Sequence, residues 1–195
     1  MIKLRGIYEL VKNKIISRYI KCFECLTLGE NINFKAMPHI LVHQQARISI
    51  GKNTLINSSN FGYHLNMFSR CKLYADRANA QIIIGSNCRI HGTCIHAYNK
   101  ITIGSNCLIA ANTQIIDGNG HQLSMDNPGQ RINTTDNGVP ILIEDGVWIA
   151  ANCIILGGTI IGEGSVITAG SVVKGIVPPK SLYGGNPAKM IKQYL

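Results

Sequence analysis

An Ile or Val returns every sixth residue through the second half of this chain, in three blocks: Ile84 and Ile90; Ile103, Ile109 and Ile115; then Ile143, Ile149, Ile155, Ile161, Ile167 and Val173. The stretch from Ile48 to Asn57 follows the pattern more loosely, and the register is lost between Asn60 and Ala80. Four residues after each aliphatic position stands a residue that is usually small, such as Cys88, Cys94, Cys107, Thr113, Cys153, Thr159, Ser165 or Ser171, and the position directly after it is often Gly or Ala. A six-residue period matches neither a helix nor a plain strand. It predicts a parallel β solenoid in which each hexad makes one short strand and one turn, three hexads close a triangular coil, and coils stack about 4.8 Å apart. In that geometry the aliphatic residue points inward, the small one lies under the corner, and Gly or Ala permits the tight turn. Cys88, Cys94, Cys107 and Cys153 then read as buried apolar fillers rather than ligands.

Outside the repeat, residues 2 to 21 place Leu4, Ile7, Tyr8, Val11, Ile15, Tyr19 and Ile20 on one stripe, with Lys3, Arg5, Lys12, Lys14, Arg18 and Lys21 mostly elsewhere, as an amphipathic helix would. Its expected role is to cover the open end of the solenoid or to pack on a neighbouring subunit; the alternative is docking on an anionic membrane. After Ile115 the six-residue register stops, and it resumes only at Ile141-Leu-Ile143. The intervening stretch is rich in Gly, Asn, Asp and Pro and reads as a protruding loop, a candidate functional element on a rigid scaffold. The chain therefore divides into an N-terminal helix at 1–25, a solenoid at 26–177 with a loop at 117–140, and a C-terminal extension at 178–195.

Composition narrows the function. With 195 residues, 46% of them hydrophobic, the chain can bury a core and is most simply one domain. No apolar run approaches the roughly 20 residues that span a bilayer, and the N-terminus lacks the order of a secretory signal, so the cytosol is the expected compartment. Seven cysteines, an odd count without regular spacing, read as reduced thiols, and the lone Cys22-x-x-Cys25 pair as two residues near a helix end. The net charge of +9 favours anionic partners, yet no aromatic-rich basic motif of a nucleic-acid module is present. A phosphate-bearing cofactor or an anionic membrane accounts for the charge as well.

A proton acceptor working near neutral pH is best supplied by histidine. Six are available: His39, His43 and His64 in the irregular N-terminal part, His91 and His96 on or beside repeat turns, and His121 at the start of the long loop. The hexad pattern of residues 84 to 177 resembles that of the hexapeptide-repeat acyltransferases. Within that superfamily, Asp117-Gly-Asn-Gly-His121, with Arg131 after it and Pro140-Ile-Leu-Ile-Glu-Asp-Gly-Val-Trp-Ile-Ala151 beyond, is similar to the active-site stretch of the sugar and glycan O-acetyltransferases. The resemblance implies an all-β, left-handed parallel β-helix, usually a homotrimer, that uses acetyl-CoA as co-substrate and needs no metal.

It also implies roles for named residues. His121 is the general base, and Asp117 matches an acidic position that helps to orient it; Asn119 stands where many relatives carry a second Asp. Trp148 occupies an aromatic position beside the acyl and pantetheine end of the cofactor, and Ala151 and Ala169 match small positions along the pantetheine arm. Lys174, Lys189 and Lys192, the last two in or after the Gly-Asn-Pro-Ala-Lys segment, match basic positions facing the nucleotide phosphates, although Lys174-Gly-Ile176 replaces the usual Thr-Lys-Asp run. Thirty residues before the base, where galactoside- and maltose-type relatives place Asn, this chain has His91; His91 and Arg131 are read as acceptor-side residues.

The implied reaction is direct acetyl transfer in a ternary complex to a hydroxyl of a sugar or glycan precursor. N-acetylation of an amino sugar is the nearest alternative. A γ-carbonic-anhydrase-like zinc enzyme is a further one, disfavoured because His91 and His96 precede His121, the reverse of that family's order. A solenoid that only binds a partner is a third. The expected location is cytoplasmic, with peripheral contact at the inner membrane face through residues 1–21 as an option.

Overall fold

The computed structural model describes residues 2–20 and 23–194, and within them the hexads wind into a three-sided parallel β-helix. Sheet 1 stacks seven strands, from Leu26–Leu28 through Arg47–Ile50, Gln81–Ile84, Lys100–Ile103, Ile141–Ile143 and Ile160–Ile161 to Ile176–Val177. Sheet 2 runs from Asn33–Lys35 through Leu55–Asn57, Arg89–His91, Leu108–Ile109, Trp148–Ile149 and Val166–Ile167 to Ser181–Gly185, and ends on the antiparallel strand Ala188–Gln193. Sheet 3 stacks His39–Val42, Lys72–Ala75, Cys94–Ala97, Gln114–Ile116, Ile154–Leu156 and Val172–Val173.

The core is a set of vertical ladders. Ile50, Ile84, Ile103, Ile143 and Ile161 fall in register on sheet 1, Phe34, Ile56, Ile90, Ile109, Ile149 and Ile167 on sheet 2, and Leu73, Ile95, Ile115, Ile155 and Val173 on sheet 3. All of them are buried. The solenoid reaches further toward the N-terminus than the clear repeat, because Phe34 and Leu73 fill ladder positions that Ile holds elsewhere. The patternless stretch resolves into a loop over 58–71 followed by a regular strand at Lys72–Ala75.

Three expectations are corrected. Gly after the aliphatic residue is not what turns the corner. A Cβ on Gly85 would come 2.5 Å from the Gly104 carbonyl carbon of the next coil, so this position requires close coil-on-coil approach. The left-handed backbone falls two residues later, on Asn53, Asn87 and Asn106 at φ 57–60° on one corner and on Asn112 and Asn152 at φ 64° and 61° on the next. Asparagine tolerates that region better than other side chains, and the Asn31, Asn53, Asn87 and Asn106 amides hydrogen-bond up the corner in a ladder.

The inward small position after Ile90 belongs to Thr93 rather than to Cys94, which is only half-buried. The corner at His91–Thr93 is one residue shorter, so the next ladder residue is Ile95, five positions on. Cys88, Cys107 and Cys153 are buried free thiols. Cys22 lies outside the described residues, and Cys25 is a free thiol.

The helix, Ile2–Ile20, turns Ile7, Tyr8, Val11, Ile15 and Tyr19 of the stripe expected to be covered away from the solenoid, and of that stripe only Ile20, among the residues whose side chains are described, is buried. Ile20 is fully buried and Ile16 packs on the core beside it. Ser17 Oγ accepts from Phe34 N–H at 3.1 Å and Asn13 Oδ1 from Ala36 N–H at 3.0 Å. The physical reason is the edge strand: the first strand of sheet 2 presents unpaired N–H groups, which polar side chains satisfy and aliphatic ones cannot. No helix among the described residues is long and apolar enough to cross a membrane.

Candidate active site

The residues singled out by sequence fall into two groups at two different corners. The first lies on the outer face of sheet 2, where successive coils place Arg89, Leu108 and Trp148 directly above one another, each one residue before a ladder Ile. This column borders a cavity of about 530 Å³ floored by Ala110, Ala150, Ala151 and Ala169. Small side chains keep it open; a branched residue would fill it. Trp148 is half-exposed along its edge.

Tyr63, His64 and Leu65 of the 58–71 loop close the opposite wall. The ring of Tyr63 stacks on His91 with centroids 4.4 Å apart and planes 15° from parallel. His91 Nδ1 lies 3.1 Å from Asn57 Nδ2, and because the amide nitrogen can only donate, Nδ1 accepts and Nε2 carries the proton. Burial, reinforced by Lys35 and Arg89, pushes the His91 pKa down to about 4, so the ring is neutral at physiological pH. Trp148, Ala151, Ala169 and His91 are thus brought together. The residues missed from sequence are Tyr63, His64, Leu65, Arg89 and Leu108. Stepping back one position from each ladder Ile would have found Arg89 and Leu108, whereas nothing in the aperiodic 58–71 segment marks Tyr63.

The second group lies at the corner between sheets 3 and 1, where the 117–140 loop leaves the solenoid. His121 is exposed, with Nδ1 3.0 Å from the Thr134 carbonyl oxygen. A carbonyl only accepts, so Nδ1 holds the proton and Nε2 keeps a free lone pair. Thr134 is itself fixed: its Oγ1 donates to the Arg131 carbonyl at 2.8 Å and accepts from Gln122 N–H at 2.9 Å.

The expected pair of Asp117 with His121 does not form. Asp117 is buried, and its carboxylate accepts three backbone N–H bonds, from Tyr98 at 2.6 Å, Asn99 at 2.9 Å and Lys100 at 2.8 Å. Burial holds this carboxyl above its ordinary range against the pull of those bonds. Its role is to clamp the loop root onto the coil below. Asp117→Ala should therefore lower stability by about 2–4 kcal/mol, by leaving buried N–H groups unpaired. Thermal melting and limited proteolysis at 117–140 check this; a melting temperature within a degree of the native chain would contradict it.

Arg131 also turns inward on the loop. Its Nε donates to the Leu123 carbonyl at 2.6 Å and its guanidinium touches Met125 Sδ, so it braces the loop instead of standing free for an acceptor. Asp136 accepts from Asn119 and Gly138 N–H groups, which holds its carboxyl below the usual range, and Arg77 donates to the Asp136 carbonyl. At the loop root the rings of Tyr74, His96 and Tyr98 stack in sequence, at 4.4 and 4.6 Å, with the Arg77 guanidinium 4.0 Å over Tyr98. His96 is therefore packed beside the root and not at an open corner.

The basic residues divide between the corners. Lys189 and Lys192 sit on the last strand of sheet 2, on the same side as the cavity. Lys174 follows the last strand of sheet 3, at the corner that carries the loop. Among the described residues no three His, Cys, Asp or Glu side chains gather as a metal cage. His91, His96 and His121 each face different neighbours.

Against known proteins, two stretches match family models: residues 140–175 match the bacterial transferase hexapeptide (six repeats), and residues 81–116 the hexapeptide repeat of succinyl-transferase. WbbJ of Escherichia coli K12, described as a lipopolysaccharide biosynthesis O-acetyl transferase, is 32% identical over 158 residues, which cover 78% of this chain and 75% of that protein. A Schizosaccharomyces pombe protein described as an acetyltransferase is 43% identical over 93 residues, 48% of this chain and 43% of its own length. A hexapeptide-repeat acetyltransferase of Vibrio cholerae O1 biovar eltor, solved with acetyl coenzyme A, superposes with a TM-score of 0.59 at 27% identity, covering 96% of this chain and 84% of that one. The fold is the left-handed parallel β-helix of the hexapeptide-repeat acetyltransferases.

Proposed function

Because the chain belongs to the hexapeptide-repeat acyltransferase family, we infer that it moves an acetyl group from acetyl-CoA to a hydroxyl of a sugar or glycan precursor, with His121 as general base. The observation that carries this reading is the state of His121: a histidine on a clamped loop whose Nδ1 is tied to the Thr134 carbonyl, leaving Nε2 as the only nitrogen able to accept a proton. Thr134 takes the orienting role first given to Asp117. The cavity on sheet 2 fits an extended pantetheine arm, with Trp148 at its side and alanines beneath it. The nearby basic residues suit the phosphates of the nucleotide end.

His121 Nε2 takes the proton of the acceptor hydroxyl as its oxygen attacks the thioester carbonyl. The C–S bond then breaks and the imidazolium returns the proton to the departing thiolate, with no covalent enzyme intermediate. General-base assistance contributes about 10²–10⁴-fold, and orientation and oxyanion stabilisation supply the remainder.

His121 and the cavity stand at different corners of one prism, so we assign the complete site to the groove between two subunits of a homotrimer. Leu108 and Trp148 on sheet 2 and Leu142, Ile160 and Ile176 on sheet 1 are aliphatic or aromatic groups facing outward, as buried subunit contacts would require.

Acceptor profiling tests the reaction. With acetyl-CoA and a panel of sugar alcohols, glycan fragments and amino sugars, release of free thiol should depend on a hydroxyl acceptor and yield a base-labile ester. An amide as the dominant product would move the assignment to N-acetylation. No turnover with any hydroxyl or amine acceptor, in a protein that does not bind acetyl-CoA, would remove the acyltransferase reading.

A further inference from the structure

The N-terminal helix carries apolar residues on both sides, and more of them face away from the solenoid than toward it. The side against the solenoid carries Gly6, Glu9, Asn13 and Ser17 together with Ile16 and Ile20. The outward side carries Ile7, Tyr8, Val11, Ile15 and Tyr19, each more than half exposed, at 53–63%. At 3.6 residues per turn these five lie on one face, and from Ile7 to Tyr19 they extend about 18 Å along the axis. Capping the solenoid does not need them: the capping bonds come from Asn13 and Ser17 on the other side.

We propose that this outward face is a docking surface for an anionic lipid bilayer, on which the helix lies in the plane of the headgroups with the solenoid standing above it. Charge selects the occupant. Residues 2–21 hold six Lys or Arg and a single acid, Glu9, which sits on the solenoid side, so this short segment supplies a net +5 of the chain's +9. Lys12 lies at one edge of the strip, exposed Arg18 stands within it between the positions of Ile7 and Val11, and Lys14 separates it from the equally exposed Leu10.

A second protein chain would have to desolvate such lysines, which are depleted from the cores of protein interfaces. A bilayer takes the aliphatic side chains into its acyl boundary and leaves the amines at anionic phosphates, and tyrosines at the edge of the strip suit the headgroup layer. Docking would hold the active site close to acceptors carried on lipid. The surface is argued without reference to acyl transfer, and its test uses no activity measurement.

Flotation of the full chain with vesicles of phosphatidylcholine alone, and with about 30% phosphatidylglycerol, decides the matter. The protein should float with the anionic vesicles and at least about tenfold less with the neutral ones, and salt should weaken the binding. Val11→Gln with Ile15→Gln keeps good helix formers on the outward face and should cut partitioning at least about tenfold, with unchanged melting temperature and subunit number. Lys14→Glu should lower binding to the anionic vesicles by about fivefold or more. Failure of the native chain to float with either vesicle, or undiminished flotation of the double variant, would overturn the proposal. A changed subunit number in the double variant would overturn it too, by making the face a contact between copies of this chain.

Discussion

Replacing His121 with alanine should lower turnover by about 10²–10⁴-fold while leaving acetyl-CoA affinity within a few-fold and the melting temperature unchanged. The size follows from what is removed. The imidazole is exposed and makes one hydrogen bond, to the Thr134 carbonyl, so the fold loses almost nothing. Thr134 remains held by Arg131 and Gln122. What disappears is the lone pair at Nε2, and with it the only group assigned to take the acceptor's proton. Steady-state kinetics with the best acceptor, alongside calorimetric titration of the cofactor, separates the two parameters. Turnover within a few-fold of the native rate would remove His121 from the mechanism.

The second large effect concerns sharing of the site. Ala169→Trp should abolish activity by filling the cavity floor, and it is a cleaner choice than a substitution at Ala151. Ala151 is buried under the corner, where a larger side chain would cost about 1–3 kcal/mol in overpacking, whereas Ala169 is exposed and lines the same cavity. His121→Ala and Ala169→Trp should each be nearly inactive as homotrimers. In a mixed trimer, one of the three grooves joins an intact His121 from the Trp variant to an intact cavity from the Ala variant. Purified mixed trimers should then recover about one third of native activity. No recovery in folded mixed trimers confirmed by mass would place both halves of the site within one chain and leave the trimer a purely structural role.

Much of this molecule was legible in the sequence because a solenoid is nearly one-dimensional. Each coil contacts only its neighbours, so the period of the apolar residues is itself the fold, and three hexads to a coil follows from closure of the prism. The break in period after Ile115 marked the loop for the same reason, and His121, which opens that loop, was singled out by the resemblance of its stretch to the sugar and glycan O-acetyltransferases. The aliphatic ladders and the buried Cys88, Cys107 and Cys153 follow from position within the hexad, whereas Trp148, Ala151 and Ala169 were picked out by the family resemblance.

What only the tertiary structure decided are contacts between residues unrelated by that period. Asp117 is four residues from His121, yet its carboxylate faces the backbone of Tyr98, Asn99 and Lys100 on the coil below, because buried N–H groups there need an acceptor more than an exposed imidazole does. Tyr63 reaches His91 only because an aperiodic loop folds back over the sheet, and no repeat encodes that return. The helix shows the limit most clearly. A helix with a covered apolar stripe was the expectation, but which face meets the solenoid depended on the partner, an edge strand with open N–H groups that Asn13 and Ser17 satisfy, while Ile7, Tyr8, Val11, Ile15 and Tyr19 stay outward.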